Sequence, residues 1–365
     1  MNDRKIIAAG HICLDITPVF PQGRSGSPGE ILIPGKLIHV DAADVHTGGS
    51  VANTGLALKI LGNNVELLGK IGNDSFGTMI QDIAGRYHAG GLLVDDSCST
   101  SYSVVIAVPG SDRIFLHNPG ANDSFSCRDI PPEALEGAVL FHFGYPPLMR
   151  SMYERGGEEL VSLFSMVKSR GIVTSLDFAE IDPHAEAGSV DWVSLLASVL
   201  PFTDFFLPSF EELCFMLDRE KYERLSRSGG DMTEHLDTEK DVAPLADRLF
   251  ALGARAVMIK CGVSGLYYRI GDISGISPLL GLNPAEWNFR SGHQPCFPAE
   301  QVLSATGAGD TCIAAFLTGL LRGKPPEECV ALAAAEGACC VAAYDALSGL
   351  KSIEELEKII ADHQR

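Results

Sequence analysis

The residues that most directly suggest chemistry lie late in the chain, in the run Leu303-Ser304-Ala305-Thr306-Gly307-Ala308-Gly309-Asp310-Thr311. An apolar segment, Cys312 to Leu321, follows at once and reads as a buried helix. Two glycines within three positions let the backbone turn tightly and bring amide groups close to a ligand. The first N–H groups of a helix have no internal partner and carry about half a positive charge in sum, so such an end invites a phosphate or a developing oxyanion. A carboxylate placed there, Asp310, can act as a base beside an anion hole. An ordinary N-cap aspartate would give the same tetrapeptide, so the surrounding chain has to decide.

A second constellation lies near the start: Gly48-Gly49-Ser50-Val51-Ala52-Asn53, then Gly69-Lys70-Ile71-Gly72-Asn73-Asp74-Ser75-Phe76-Gly77. The paired glycines allow close approach to a ligand, and Asn53, on the first turn of a predicted helix, can both donate to and accept from hydroxyls. Taken in order, these two stretches resemble the N- and C-terminal signatures of the ribokinase-like (PfkB-type) carbohydrate kinases, and the resemblance covers nearly the whole chain. It implies an ATP-dependent sugar kinase that transfers the γ-phosphoryl group of ATP to a carbohydrate hydroxyl with Mg2+ present. Asp310 is then the catalytic base, and the amides of Gly307, Ala308 and Gly309 are the anion hole.

The same resemblance assigns Asp15, Gly48, Gly49 and Asn53 to the sugar. It assigns Thr306, Lys260, Gly262 and Gly265 to the nucleotide, with Ala334 and Gly337 on the helix that walls the adenine; plain helix packing explains those two small residues equally well. Ser209 and Glu212 stand where the family carries Asn-x-x-Glu, tied to the Mg2+ and phosphate shell. Ser209 replaces the Asn, and for Glu212 a simple helix-start carboxylate is the competing account. Six positions before Asp310, where the family usually has an Asp that helps hold a monovalent cation, stands Ser304, so potassium activation is not expected. Two other activities fit the pattern: a nucleoside kinase of the same fold, and a non-catalytic sugar-binding sensor. Asp310 with both glycines argues against the sensor, while Ser209 and Ser304 speak for it.

The elements that must position these residues alternate. Lys5 to Cys13, Val65 to Gly69, Val139 to Phe143, Ile172 to Asp177, Phe205 to Pro208 and Ala256 to Lys260 read as strands. Helical segments fall between them at Ser50 to Leu61, Ser75 to His88, Gly157 to Ser169 and Val190 to Leu200. This βα series predicts an α/β fold with a mainly parallel central sheet covered on both faces, and the resemblance makes it a three-layer αβα ribokinase-like sandwich. Glu30 to Ile33, Leu37 to Val40, Ser101 to Val108 and Arg113 to His117 read as short extended pieces of a small β-sheet inserted at about 16–47 and 100–118, which in the family is a lid over the sugar. Exposed strand edges on such a lid invite pairing of two copies into a homodimer. Asp218 to Asp241 reads as a charged insertion, part helix and part loop. Gly271 to Glu300 reads as a long connection.

Composition narrows the function further. A formal net charge of −19 argues against nucleic acid as a partner. Ten cysteines occur without a Cys-x-x-Cys pair or zinc-ligand spacing, which suits reduced thiols in a cytoplasmic protein with no structural metal. No run approaches 18 apolar residues and no secretory leader is evident, so neither a membrane nor secretion is expected. A phosphorylated sugar would need a cation near Asn53; Lys70, Arg113 and Arg150 are the available ones, which favours an unphosphorylated sugar.

Overall fold

Alternation along the first strand sets the architecture. In β1 (Asn2–Gly10), Ile6 and Ala8 enter one apolar cluster and Ile7 and Ala9 another, all four with no exposed surface, as a strand covered on both faces requires. The computed structural model describes residues 2–21, 26–108, 113–299 and 301–363. After β1 come β2 (Cys13–Thr17), β3 (Asp44–Gly48), α1 (Ser50–Ile60), β4 (Asn63–Leu68), β5 (Lys70–Gly72), α2 (Ser75–Arg86), β6 (Leu93–Asp95), β7 (Tyr102–Ile106) and β8 (Ile114–Asn118). The middle of the chain supplies β9 (Ala138–Gly144), α3 (Glu158–Ser169), β10 (Val173–Asp177), α4 (Trp192–Val199), β11 (Phe205–Phe206), α5 (Phe210–Leu217), α6 (Arg219–Ser228), α7 (Ala243–Ala251), β12 (Ala256–Lys260) and β13 (Leu266–Ile270). The last part holds β14 (Ser291–Gln294), α8 (Ala308–Leu321), α9 (Pro326–Cys340) and α10 (Ile353–His363).

The main sheet has eight strands in the order β14-β13-β12-β11-β10-β9-β1-β4. Neighbours are parallel from β4 across to β12, and β13 and β14 run antiparallel at the far edge. Helices α1, α8 and α9 cover one face through Leu56, Ile313 and Val330; α3, α4, α5 and α7 cover the other through Leu160, Leu195, Leu213 and Leu249. This is the three-layer α/β sandwich of the expectation. A second sheet, β3-β2-β7-β8, stands apart, with β2 antiparallel to β3 and β7 antiparallel to β8. Residues 22–25 and 109–112 of the predicted insertion lie outside the described residues.

Three readings change. Residues expected as extended at 30–33 fall largely on a helical turn, Pro28–Ile31, started by a Ser27/Glu30 capping box and a proline at its first position; such local caps outweigh a short apolar pattern. Leu37 to Val40 forms no strand, and the small sheet is completed by β2 and β3 instead. The connection after Gly271, whose last residue Glu300 lies outside the described residues, is built into the core. It contributes the edge strand β14 and a fully buried Trp287, whose indole N–H donates to the Lys324 carbonyl (3.2 Å) and whose ring meets Phe205 edge-on (6.2 Å). Truncating an aromatic buried in this way costs about 3–5 kcal/mol.

Candidate active site

Two helix N-termini meet at Asp310. Gly307 opens α8 in the left-handed region (φ 76°), and a Cβ there would collide with Ala346, so both conformation and space demand glycine. Asp310 follows in the first turn, 2 % exposed. Gly49 does the corresponding work for α1: its φ is 84°, and a Cβ would lie 2.6 Å from His11 Nδ1. The turn it makes places Asn53 and Thr54 on the first turn of α1, facing α8. Asn53 Nδ2 donates to Asp310 Oδ2 (3.0 Å), and Thr54 Oγ1 donates to Oδ1 (3.1 Å).

A third donor comes from the opposite wall. Tyr145, just past β9, adopts a left-handed backbone (φ 67°, ψ 41°) that only a few per cent of non-glycine residues use, and its Oη donates to Asp310 Oδ2 at 2.6 Å. Burial and the adjacent Asp310 hold the phenol well above its ordinary pKa, so it keeps its proton.

Lys260, at the carboxyl end of β12, reaches the same place. Its Nζ lies 2.5 Å from Asp177 Oδ1 at the end of β10, and about the same aliphatic tail packs against Gly309, where an added Cβ would sit 3.5 Å from Nζ. Burial works against the ammonium, but Asp177, Glu212 and Asp310 outweigh it and push Lys260 above the ordinary lysine value. Asp177 is fully buried, and its Oδ2 has no hydrogen-bond partner. Behind this pair, burial drives the His142 imidazole down to about 3; its Nδ1 lies 3.0 Å from Ser175 Oγ and its Nε2 3.4 Å from Ser50 Oγ.

Asp15 lies beyond Gly49, on β2, paired with His46 and Ser103 of the neighbouring strands. Its carboxylate rests against Gly48, where any Cβ would collide with it; burial raises its pKa. Between Asp15's sheet and Tyr145 stands His11, 1 % exposed, whose Nε2 is 3.3 Å from His117 Nε2 on β8 and whose ring centroid is 6.1 Å from that of Tyr145. Desolvation, and for His11 its partner His117, lowers the pKa of both rings.

The residues assigned to a nucleotide are more dispersed. Ser209 and Glu212 form a capping box, with the Ser209 N–H donating to Glu212 Oε2 (2.8 Å) and the Glu212 N–H to Ser209 Oγ (3.2 Å), so the helix-start account of Glu212 holds as far as its local bonds go. Gly262 and Gly265 flank a tight turn between β12 and β13, with φ 47° and 92°. Thr306 donates its N–H to Ser304 Oγ (3.1 Å), the same hydroxyl that accepts from Arg113 Nη1 (3.1 Å). Gly337 of α9 packs against α8, where a Cβ would sit 2.6 Å from Cys312 Sγ, and Ala334 is buried on the same helix; helix packing is enough to require the small residue at Gly337.

The fold therefore brings Asp310, Asn53, Gly309 and Lys260 into one cluster, with Asp15, Gly48 and Gly49 beside it. It adds Tyr145, Thr54, Asp177, His11 and His117, which the sequence reading passed over. Asp177 was detectable, because it ends a predicted parallel strand, where α/β folds place ligands. Tyr145, His11 and His117 had no local signal.

With this geometry in view, comparison with known proteins decides the family. The profile of the pfkB family carbohydrate kinases matches residues 8–352. The chain belongs to the PfkB family of carbohydrate kinases. It is a phosphotransferase of the ribokinase-like sugar and nucleoside kinases, with an alcohol group as acceptor. An uncharacterized sugar kinase of Archaeoglobus fulgidus is 25 % identical over 299 residues, 81 % of this chain and 98 % of that one. A cytidine kinase of Thermococcus kodakarensis is 22 % identical over 327 residues, 90 % and 92 % of the two chains. Among solved structures, the ribokinase of Arabidopsis thaliana complexed with ribose and ATP shares the fold with a TM-score of 0.69 and 21 % identity, over 99 % of each chain. Among the described residues no helix is long and apolar enough to cross a membrane.

Proposed function

We propose that this PfkB-family enzyme transfers the γ-phosphoryl group of ATP to a hydroxyl of an unphosphorylated sugar, with Asp310 as general base. The observation that carries this reading is the position of the Asp310 carboxylate, in the first turn of α8 and beside the Lys260 ammonium. The acceptor hydroxyl bonds to Asp310 and loses its proton there as it attacks the phosphorus. Negative charge gathering on the phosphoryl oxygens meets the N–H groups of Gly307 and Gly309 and the Lys260 ammonium, and that of Ala308 once it turns from the Ala305 carbonyl (3.3 Å). Preorganised donors of this kind act where charge develops, which is how such transfers are mostly catalysed.

Mg2+, arriving with ATP, supplies further neutralisation of the phosphates. Glu212 and Asp177, whose Oδ2 is unpartnered, are the carboxylates that would hold it, directly or through water. Asp15, lodged against Gly48, and Asn53 orient the sugar. We take the β3-β2-β7-β8 sheet as a lid that excludes water from the transfer. Its edge strand β8 presents Ile114, Phe115 and Leu116 at 40, 52 and 56 % exposure, which supports pairing of two lids in a homodimer.

The cations argue for an acceptor without phosphate. Lys70 is bound to Asp95 (2.9 Å) and Asp129 (3.3 Å), Arg150 faces Glu154 and Glu186, and Arg113 Nη1 donates to Ser304 Oγ (3.1 Å). The test is ADP release over a panel of pentoses, hexoses and nucleosides, with Asp310→Asn as control. An active acceptor should lose about 10²–10⁴-fold in kcat in the variant. Acceptors that bind without any ADP release would point to the sensor instead.

A further inference from the structure

Asp310 is unusually well supplied with donors for a group that has to accept a substrate proton. Oδ2 takes hydrogen bonds from both Asn53 and Tyr145, and Oδ1 takes one from Thr54. A carboxylate oxygen has two lone pairs, so Oδ2 is filled while Oδ1, bonded to Thr54 alone, keeps one site open, and an acceptor alcohol that bonds Oδ2 has to displace one of its two donors. Asn53 and Thr54 are buried at 6 and 0 % exposure on the first turn of α1, whereas Tyr145 is only partly buried and projects from a loop on the other wall. Tyr145 is therefore the donor that can leave.

Its backbone shows that it is held there. Tyr145 occupies a left-handed conformation, fixed by its N–H donating to the Asp177 carbonyl (3.2 Å) and by the turn through Pro146 and Pro147. Strain of this kind persists where surrounding structure imposes it, commonly at sites of function. The bond it secures, a hydroxyl donating to the Asp310 carboxylate at 2.6 Å, is the bond a sugar hydroxyl must make for general-base catalysis. The far side of the phenol ring faces His11, and His11 is bonded to His117 of β8, so the small sheet abuts the same device.

We propose that the Tyr145 hydroxyl holds the place on Asp310 Oδ2 that the acceptor alcohol takes during turnover, so that the sugar displaces it there and water is kept from that oxygen. Tyr145 is on this view a positioning residue that competes with substrate and suppresses hydrolysis of ATP; the proposal rests on the kinase reading above.

The test compares wild type with Tyr145→Phe, which keeps the ring, and with Tyr145→Leu as a second variant whose fold is checked by thermal unfolding. Affinity for the acceptor panel is measured by calorimetry without ATP, and ADP release is measured with and without acceptor. Loss of one competing hydrogen bond should tighten acceptor binding and lower KM by up to about tenfold. Acceptor-free ADP release should rise by a similar factor. Weakened or unchanged acceptor affinity in both variants overturns the proposal, since a tyrosine that binds the sugar or merely braces the loop would give that result. If the wild type releases no ADP with any acceptor the kinase reading fails, and affinity still decides the question for Tyr145: tighter binding in the variants supports it, and no binding by any of the three proteins overturns it.

Discussion

Replacing Lys260 by methionine should separate what the buried ion pair does for stability from what it does for catalysis. The Lys260 side chain is 11 % exposed and that of Asp177 1 %, with 2.5 Å between the charged atoms. At an effective dielectric of about 20 such a contact is worth on the order of 6 kcal/mol of attraction before desolvation is subtracted. Desolvation takes most of that back, so the pair itself stabilises the fold little. Removing one partner is different, because Asp177 is then left without the contact at Oδ1 while Oδ2 is already unpartnered. Breaking a buried pair in this way costs about 3–5 kcal/mol, and uptake of a proton by Asp177 sets the lower end. Lys260→Met should therefore lose about 3 kcal/mol in urea unfolding, with a comparable loss for Asp177→Val. The double variant, with no stranded charge, should recover to within about 1–2 kcal/mol of wild type. Phosphoryl transfer should not recover: the double variant still lacks the ammonium beside Gly309, and loss of one such group costs about 10²–10³ in kcat. Additive stability losses in the double variant would refute the reasoning about the ion pair. Recovery of activity together with stability would refute the role given to the ammonium.

Other perturbations address neighbouring parts of the site. Gly48→Ala drives a methyl group into the Asp15 carboxylate; it should cost about 1–3 kcal/mol in stability and raise the acceptor KM more than the ATP KM, which steady-state kinetics with each substrate varied will show. His142 has a folded-state pKa of about 3, below the unfolded value of about 6.5. Its contribution is therefore fully present above pH 6.5 and is lost as pH falls toward 3, at about 1.4 kcal/mol per unit. The difference in unfolding free energy between pH 7 and pH 5 should shrink by about 2 kcal/mol in His142→Gln, and an unchanged pH slope would show that the ring is protonated without penalty.

Much of the scaffold was legible because its signals are local. The βα alternation needed only apolar runs of strand and helix length, and buried parallel strands such as Ala256–Lys260 announce themselves by a lack of polar residues. The positions of Gly49 and Gly307 were legible too, since each opens a helix in a conformation that demands glycine. The segment at 30–33 was misread because a Ser27/Glu30 cap and a proline turned the start of an apolar stretch into helix. The run through Trp287 looked like a loose connection because its indole is buried by Phe205 and Phe316, which are distant in sequence.

By itself, then, the sequence determined the family, through two separated signatures in order, the βα alternation, and the two glycine-led helix starts that carry Asn53 and Asp310, each of these elements depending on residues close in the chain. Only the tertiary structure decided which groups converge on that carboxylate. Tyr145 and Thr54 reach Asp310, and Asp177 reaches Lys260, across 165, 256 and 83 residues of chain. No spacing in the sequence encodes such contacts, because they are fixed by how the carboxyl ends of the strands and the starts of α1 and α8 come together.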